Sequence, residues 1–132
     1  MSGQFVLANQ AVREQLDWGK LAWMSNPGVG ASQLTVIEVV LLPGKGHNFH
    51  KHPDQEEVIY VIEGVVEQWL EQNNQVLNPG DAIVSGAGVV HASFNVGDQP
   101  AKLLAILGPC VGEGGYELVD VADQAPWNTL RA

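Results

Sequence analysis

The sequence predicts an all-β domain, and three observations carry that prediction. Fifteen glycines and seven prolines in 132 residues mark many turns. Runs rich in Val and Ile lie between those turns, and such residues suit a pleated, half-buried surface. The runs are short and turn signals recur roughly every ten residues, the rhythm of a sandwich or barrel. The length is that of one domain, and a 45% hydrophobic content supplies a real core.

In chain order, residues 9–16, "NQAVREQL", read as a short helix capped by Asn9. "GKLAWM" and "QLTVIEVVLL" read as strands. In the second, Thr35, Ile37, Val39 and Leu41 share one face, while Leu34, Val36, Glu38 and Val40 share the other. Both faces are mostly apolar, so this strand is expected to be covered on both sides. Pro43-Gly44 then suits the centre of a type II turn. "EVIYVIEG" is again apolar on both faces, and "VVEQWLEQ" continues it after Gly64. Asn73-Asn74 reads as a hairpin turn into "QVL", and "NPGD" repeats the Pro-Gly turn. "AIVS", "HASFNV" and "AKLLAILG" follow as strands, making about eight or nine in all. Residues 109–132 read as an irregular tail, with "YELVDV" as a short strand.

Charge narrows the partners. The net charge is −9, and the six basic residues are scattered. A nucleic-acid binder needs a basic patch to displace counterions, and a polybasic membrane anchor needs the same. The N-terminus lacks a basic region followed by an apolar core, and no apolar run approaches a membrane span. A soluble cytoplasmic chain that binds neither nucleic acid nor membrane is the expectation. Cys110 is the sole cysteine, so no internal disulfide forms; it reads as a plain buried thiol.

The chemistry concentrates in "GHNFHKHPDQEEVIYVIEG", residues 46–64, which holds three of the four histidines. Side chains alternate along a strand, so His50 and His52 share a face and Lys51 points away. Two imidazoles so placed can grip one metal ion. "PDQE" allows a bend, after which Glu57 can reach back to the same point, with Ile59 and Val61 as apolar wall. The distant His91 opens the "HASFN" strand and can supply a fourth ligand in a closed barrel. Three imidazoles and one carboxylate suit Mn, Fe, Co, Ni, Cu or Zn. An octahedral ion would keep two positions free, whereas tetrahedral zinc would keep none and be structural.

These residues resemble the cupin superfamily, in its small single-domain form. The first cupin motif runs Gly, five residues, His-x-His, three or four residues, Glu, six residues, Gly; here it is Gly44, His50, His52, Glu57 and Gly64. The second is met by Gly80, Gly86-Ala87-Gly88, His91 and Asn95, with Gly86 where proline is usual. The resemblance implies a double-stranded β-helix, or jelly-roll barrel, in a single domain over residues 1–132 with its core at about 30–108. It implies a homodimer, and one divalent transition metal per chain held by His50, His52, Glu57 and His91. The spacing to Gly64 selects Glu57 over Glu56, which alternation turns outward.

Other residues are read around that site. On a regular strand His47 faces away from His50 and His52, as an outer or turn residue. Ser93 and Asn95 share the face of His91, as pocket-lining or ligand-supporting residues. Tyr60 and Trp69 read as core or interface, and "GEGGYE" at 112–117 as a loop. For function the resemblance leaves two classes open. One is a metal-dependent enzyme, a dioxygenase-like oxidoreductase or an isomerase, acting on a small neutral or phenolic oxygen-bearing substrate. The scarcity of arginine, with only Arg13 and Arg131 at the chain ends, counts against strongly anionic substrates. The other is a non-catalytic metal or small-molecule binding module.

Overall fold

Period-two burial sets the architecture of residues 3–131, the residues that the computed structural model describes. In the strand Thr35–Leu41 every odd-numbered side chain is buried and every even one half-exposed. The strand Ala101–Gly108 repeats the pattern, and the two pair antiparallel. Each thus turns an apolar row inward.

Eleven strands occur among the described residues: β1 (Val12–Leu16), β2 (Gly19–Ser25), β3 (Thr35–Leu41), β4 (Gly46–Lys51), β5 (Glu56–Glu63), β6 (Val66–Leu70), β7 (Asn73–Leu77), β8 (Ala82–Ser85), β9 (His91–Asn95), β10 (Ala101–Gly108) and β11 (Val119–Asp120). They form a six-stranded sheet in the order β1-β2-β3-β10-β5-β8 and a five-stranded sheet in the order β11-β4-β9-β6-β7. From β3 onward the chain passes from one sheet to the other at every step except the β6–β7 hairpin, which is the double-stranded β-helix. No helix among the described residues is long and apolar enough to cross a membrane.

The inner core lies mainly on the six-stranded sheet, where Leu41 and Val61 are completely buried. Burying one such side chain contributes about 1.5–3 kcal/mol. A second apolar cluster lies on the outer face of the five-stranded sheet, built from Phe49, Trp69, Ala92 and Phe94. The C-terminal segment covers it with Val121, Trp127 and Leu130, and the Arg131 guanidinium stands 3.7 Å from the centre of the Phe94 ring. The tail is therefore irregular, as its composition implies, but it is a packed cover. Its one strand, β11, pairs with β4.

Three local expectations are corrected. The stretch capped by Asn9 is not a helix: Val12–Leu16 is a strand paired with β2 from Val12↔Trp23 to Leu16↔Gly19. Val12, Arg13, Glu14 and Gln15 are all exposed, so a helix here would have no apolar face to bury. The β6–β7 hairpin turns at Glu71-Gln72, because Leu70 pairs with Asn73, which begins the next strand. Glu71 takes φ 52°, a conformation that usually favours Gly or Asn. Its N–H donates to the Val90 carbonyl at 2.8 Å, and its Oε1 accepts from the Val90 N–H at 3.4 Å. Those tertiary bonds hold it. Finally, β3 and β5 are covered on one face only in the single chain. The other face of the six-stranded sheet leaves Leu34, Tyr60, Ile62 and Val84 exposed.

Candidate metal centre

The site is assembled by one irregularity in a strand pair. β4 and β9 pair as Gly46↔Phe94, His47↔Ser93 and His50↔His91. Between the last two pairs β4 advances three residues while β9 advances two. The extra residue is a β-bulge, which resets alternation on the bulged strand. Exposed Asn48 absorbs it. As a result both His47 and His50 face inward, and the expectation that His47 faces away is overturned. Its ring stacks on His50 at 3.7 Å between centroids and on Trp18 at 4.7 Å.

His50, His52 and His91 come together, with one ring nitrogen from each within 4.8 Å of the others. All three are buried, as is Glu57, while Glu56 is exposed. Each histidine turns its Nδ1 to a backbone carbonyl: His50 to Asn48 at 2.6 Å, His52 to Glu117 at 2.8 Å, His91 to Val89 at 3.1 Å. A carbonyl can only accept, so each Nδ1 carries the proton and donates it. In a neutral imidazole the Nε2 lone pair is then left free, which is the tautomer a metal ligand needs.

The Glu57 carboxylate faces two of these nitrogens. Its Oε1 lies 2.7 Å from His91 Nε2 and 3.4 Å from His52 Nε2. Oε1 and His91 Nε2 are both buried and make no well-aligned hydrogen bond. Acceptor thus faces acceptor in a desolvated site, an arrangement that calls for a cation. A proton on His91 or a metal ion among the donors meets that need, and the soft-to-borderline nitrogen set with one carboxylate fits a transition metal.

The electrostatics match. Burial holds the His50 pKa well below the ordinary imidazole value, reinforced by His47 and His91, so its neutral form dominates. Burial likewise lowers His47 to about 4, more than Glu57 raises it. Burial also disfavours a charged Glu57, but the close approach of the His52 and His91 imidazoles outweighs it and holds the carboxyl well below the usual range. His91 moves the other way: burial lowers its pKa, yet Glu57 more than compensates and the net shift is upward.

The remaining expected residues divide. Ser93 is buried, lines the pocket, and donates its hydroxyl to Gln68 Oε1 at 2.6 Å. Its oxygen therefore presents only lone pairs to the cavity. Asn95 does not line the pocket. Its Nδ2 donates to the Leu41 and Gln99 carbonyls at 3.0 and 2.8 Å, and its Oδ1 accepts from Gly97 N at 2.9 Å, so it pins the loop after β9.

Residues 112–117 are more than a loop, because Tyr116 lines the pocket and tilts over His52 at 5.4 Å between ring centroids. Trp18 and Tyr116 were not legible as site residues. The only hint for Tyr116 is that it stands alone as an aromatic in a glycine-rich segment, and for Trp18 that it occupies a tight hairpin turn. Cys110 is half-buried beside Thr35 Oγ1 at 3.4 Å and stands outside the pocket. The cavity at the histidines has a volume of about 50 Å³, and no Arg or Lys lines it.

The fold has known relatives. A family model described as the cupin domain matches residues 37–107. The germin-like protein subfamily 1 member 17 of Arabidopsis thaliana is 29% identical over 87 residues, covering 60% of this chain and 39% of that protein. The chain thus spans well under half the length of the curated relative. Among solved structures, KdgF from Halomonas sp. superposes with a TM-score of 0.73 at 19% identity, over 82% of this chain and 94% of the other. A sugar phosphate isomerase from a cupin superfamily, from Silicibacter pomeroyi, gives a TM-score of 0.71 at 25% identity, over 80% of this chain and 75% of the other.

Proposed function

The chain belongs to the cupin family, and on that premise we propose that it is a metal-dependent enzyme acting on a small neutral or phenolic substrate through a centre of His50, His52, His91 and Glu57. The carrying observation is the set of three imidazoles whose Nδ1 protons are fixed on backbone carbonyls, leaving their Nε2 atoms free beside a buried carboxylate.

The reaction class follows from what surrounds those donors. A bound divalent ion would supply Lewis acidity toward a substrate oxygen and, for iron, nickel or copper, reactivity with dioxygen. Leu41, Ile59 and Leu107 give the cavity dry walls, and Trp18 and Tyr116 give it flat ones. Ser93, whose O–H is donated to Gln68, can accept a hydrogen bond from a substrate hydroxyl. Glu57, kept ionised, brings the one negative charge to the donor set that would hold a divalent ion. His47, kept neutral, adds no positive charge. The lack of a cationic side chain in the lining disfavours a sugar phosphate, the substrate class named for the isomerase that this chain resembles.

One observation favours a second reading. A cavity of about 50 Å³ holds an ion and a few waters, not a substrate, as a brace or a non-catalytic binding module would. Metal analysis of chain purified without chelator from cells grown in mixed trace metals separates the two. The enzyme reading expects about one equivalent of Fe, Mn, Ni or Cu, and oxygen uptake or substrate-dependent spectral change with phenols or diketones. A closed tetrahedral zinc that exchanges no ligand supports the brace, and no metal after reloading would sink both.

A homodimer is part of the same reading, with its interface on the outer face of the six-stranded sheet. Tyr60, Ile62 and Val84 are 42%, 37% and 63% exposed there, on neighbouring β5 and β8. Apolar groups so placed are usually covered by a partner. Light scattering on Tyr60→Glu/Val84→Glu is expected to give a monomer where the parent chain gives a dimer. A monomeric parent refutes the assignment.

A further inference from the structure

Gln55 is a polar side chain only 2% exposed, two residues before Glu57 in the turn between β4 and β5. Its amide is spent wholly on the segment 109–117. Nε2 donates to the Pro109 carbonyl at 2.8 Å and to the Gly115 carbonyl at 2.9 Å, and Oε1 accepts from Glu117 N at 3.3 Å. Thr35 Oγ1 and the Val111 N–H also donate to the Gly115 carbonyl, at 2.7 and 3.1 Å. Gly115 itself sits at φ +95°, and a Cβ there would come within 2.6 Å of Thr35 Oγ1, so only glycine lets the segment lie this close.

The next residues after that knot reach the metal centre. Tyr116 lies over His52, and the Glu117 carbonyl accepts the His52 Nδ1 proton. Of the three Nδ1 acceptors, those of His50 and His91 are two residues away in sequence, while that of His52 is 65 residues away. His52 therefore owes its tautomer and ring orientation to a segment that is held in place by Gln55.

We infer that Gln55 is a positioning residue for the metal centre: it clamps the 109–117 segment so that the Glu117 carbonyl fixes His52, which couples metal binding to closure of that segment over the pocket. This rests on the metal reading proposed above. Coupling of this kind is reciprocal, so metal must tighten the segment as the segment tightens metal. The same segment divides the small inner cavity from a wider groove of about 590 Å³ that Tyr116 also borders, along with Trp23 and Val12. Opening it would join the two spaces and admit a substrate that the closed cavity excludes.

The test is a Co²⁺ titration followed by visible absorption on the intact chain and on Gln55→Ala. The intact chain is expected to bind, and the variant to bind about 10–100-fold more weakly, the usual effect of losing the partner that orients a ligand. Its Co²⁺ bands are expected to shift, because the His52 ring is freed. A folded Gln55→Ala with the parent affinity and spectrum overturns the inference while leaving the metal reading intact. An intact chain that binds no Co²⁺ overturns both. Where Gln55→Ala does not fold, hydrogen exchange on the parent decides. The amides of Val111 and Glu117 are expected to exchange more slowly in metal-loaded than in chelated protein, and equal rates reject the coupling.

Discussion

Removing either His50 or His91 is expected to abolish tight metal binding, with a loss beyond the roughly 100-fold that outer partners produce. The two variants are expected to differ in a second respect. His50 is held neutral by burial, so His50→Ala removes a ligand and some packing but strands no charge. His91 is the group that lies 2.7 Å from Glu57. His91→Ala leaves that buried carboxylate with His52 alone at 3.4 Å, and a buried charge losing its partner costs up to about 3–5 kcal/mol. The Glu57 pKa then rises, since burial is no longer outweighed by two imidazoles. A carboxyl with a depressed folded pKa stabilises the fold above its unfolded value, and that contribution is lost as pH falls. His91→Ala discards it together with the proton that Glu57 holds on His91, so its metal-free stability should fall below that of His50→Ala, by most between the ordinary carboxyl and imidazole values of 4.5 and 6.5, with the gap narrowing as pH falls below the carboxylate range. Calorimetric metal titration and urea melts of the metal-free proteins at two pH values measure both effects. Parent-like affinity in both variants would falsify the assignment of the centre.

Gly46→Ala is expected to be among the most disruptive single-methyl changes in the barrel. An added Cβ would lie 2.2 Å from the Ser93 carbonyl oxygen and 2.7 Å from Phe94 Cα. Both are backbone atoms of β9, so no side-chain rotation relieves the clash. The two strands must separate where they pair as Gly46↔Phe94 and His47↔Ser93. Overpacking commonly costs about 1–3 kcal/mol, and a clash with backbone belongs at or above the top of that range. Because the same pair aligns His50 with His91, metal affinity should fall together with the urea midpoint. A Gly44→Ala control meets no atom within 4 Å, although its φ of +73° carries some strain. Equal melts for the two variants would show that close approach at Gly46 is not what holds the strands.

Much of this was legible in the residues. Alternation alone put His50 and His52 on one face and Glu57 beside Ile59 and Val61, and all five side chains are indeed buried or wall-forming. Apolar runs between glycine and proline turns marked most of the strands. The faces of β3 show the limit of such patterns. Both read as apolar, yet only the odd-numbered row is buried in the single chain, because hydrophobicity does not say which side the second sheet occupies.

What the sequence determined by itself was the barrel and the placing of His50, His52 and Glu57 on its inner face, since both depend on period and spacing along a local stretch. What only the tertiary structure decided depends on groups far apart in the chain. The bulge at Asn48 turned His47 inward, and bulges are set by how two strands meet rather than by either strand. The strand at Val12–Leu16 formed because β2 offered it a ladder. Tyr116 and Glu117 joined the site because Gln55 and Thr35 hold a glycine-rich segment against the barrel. Hydrogen bonds spanning 60 or more residues leave no periodic trace, so this part of the centre emerges only when the chain has folded.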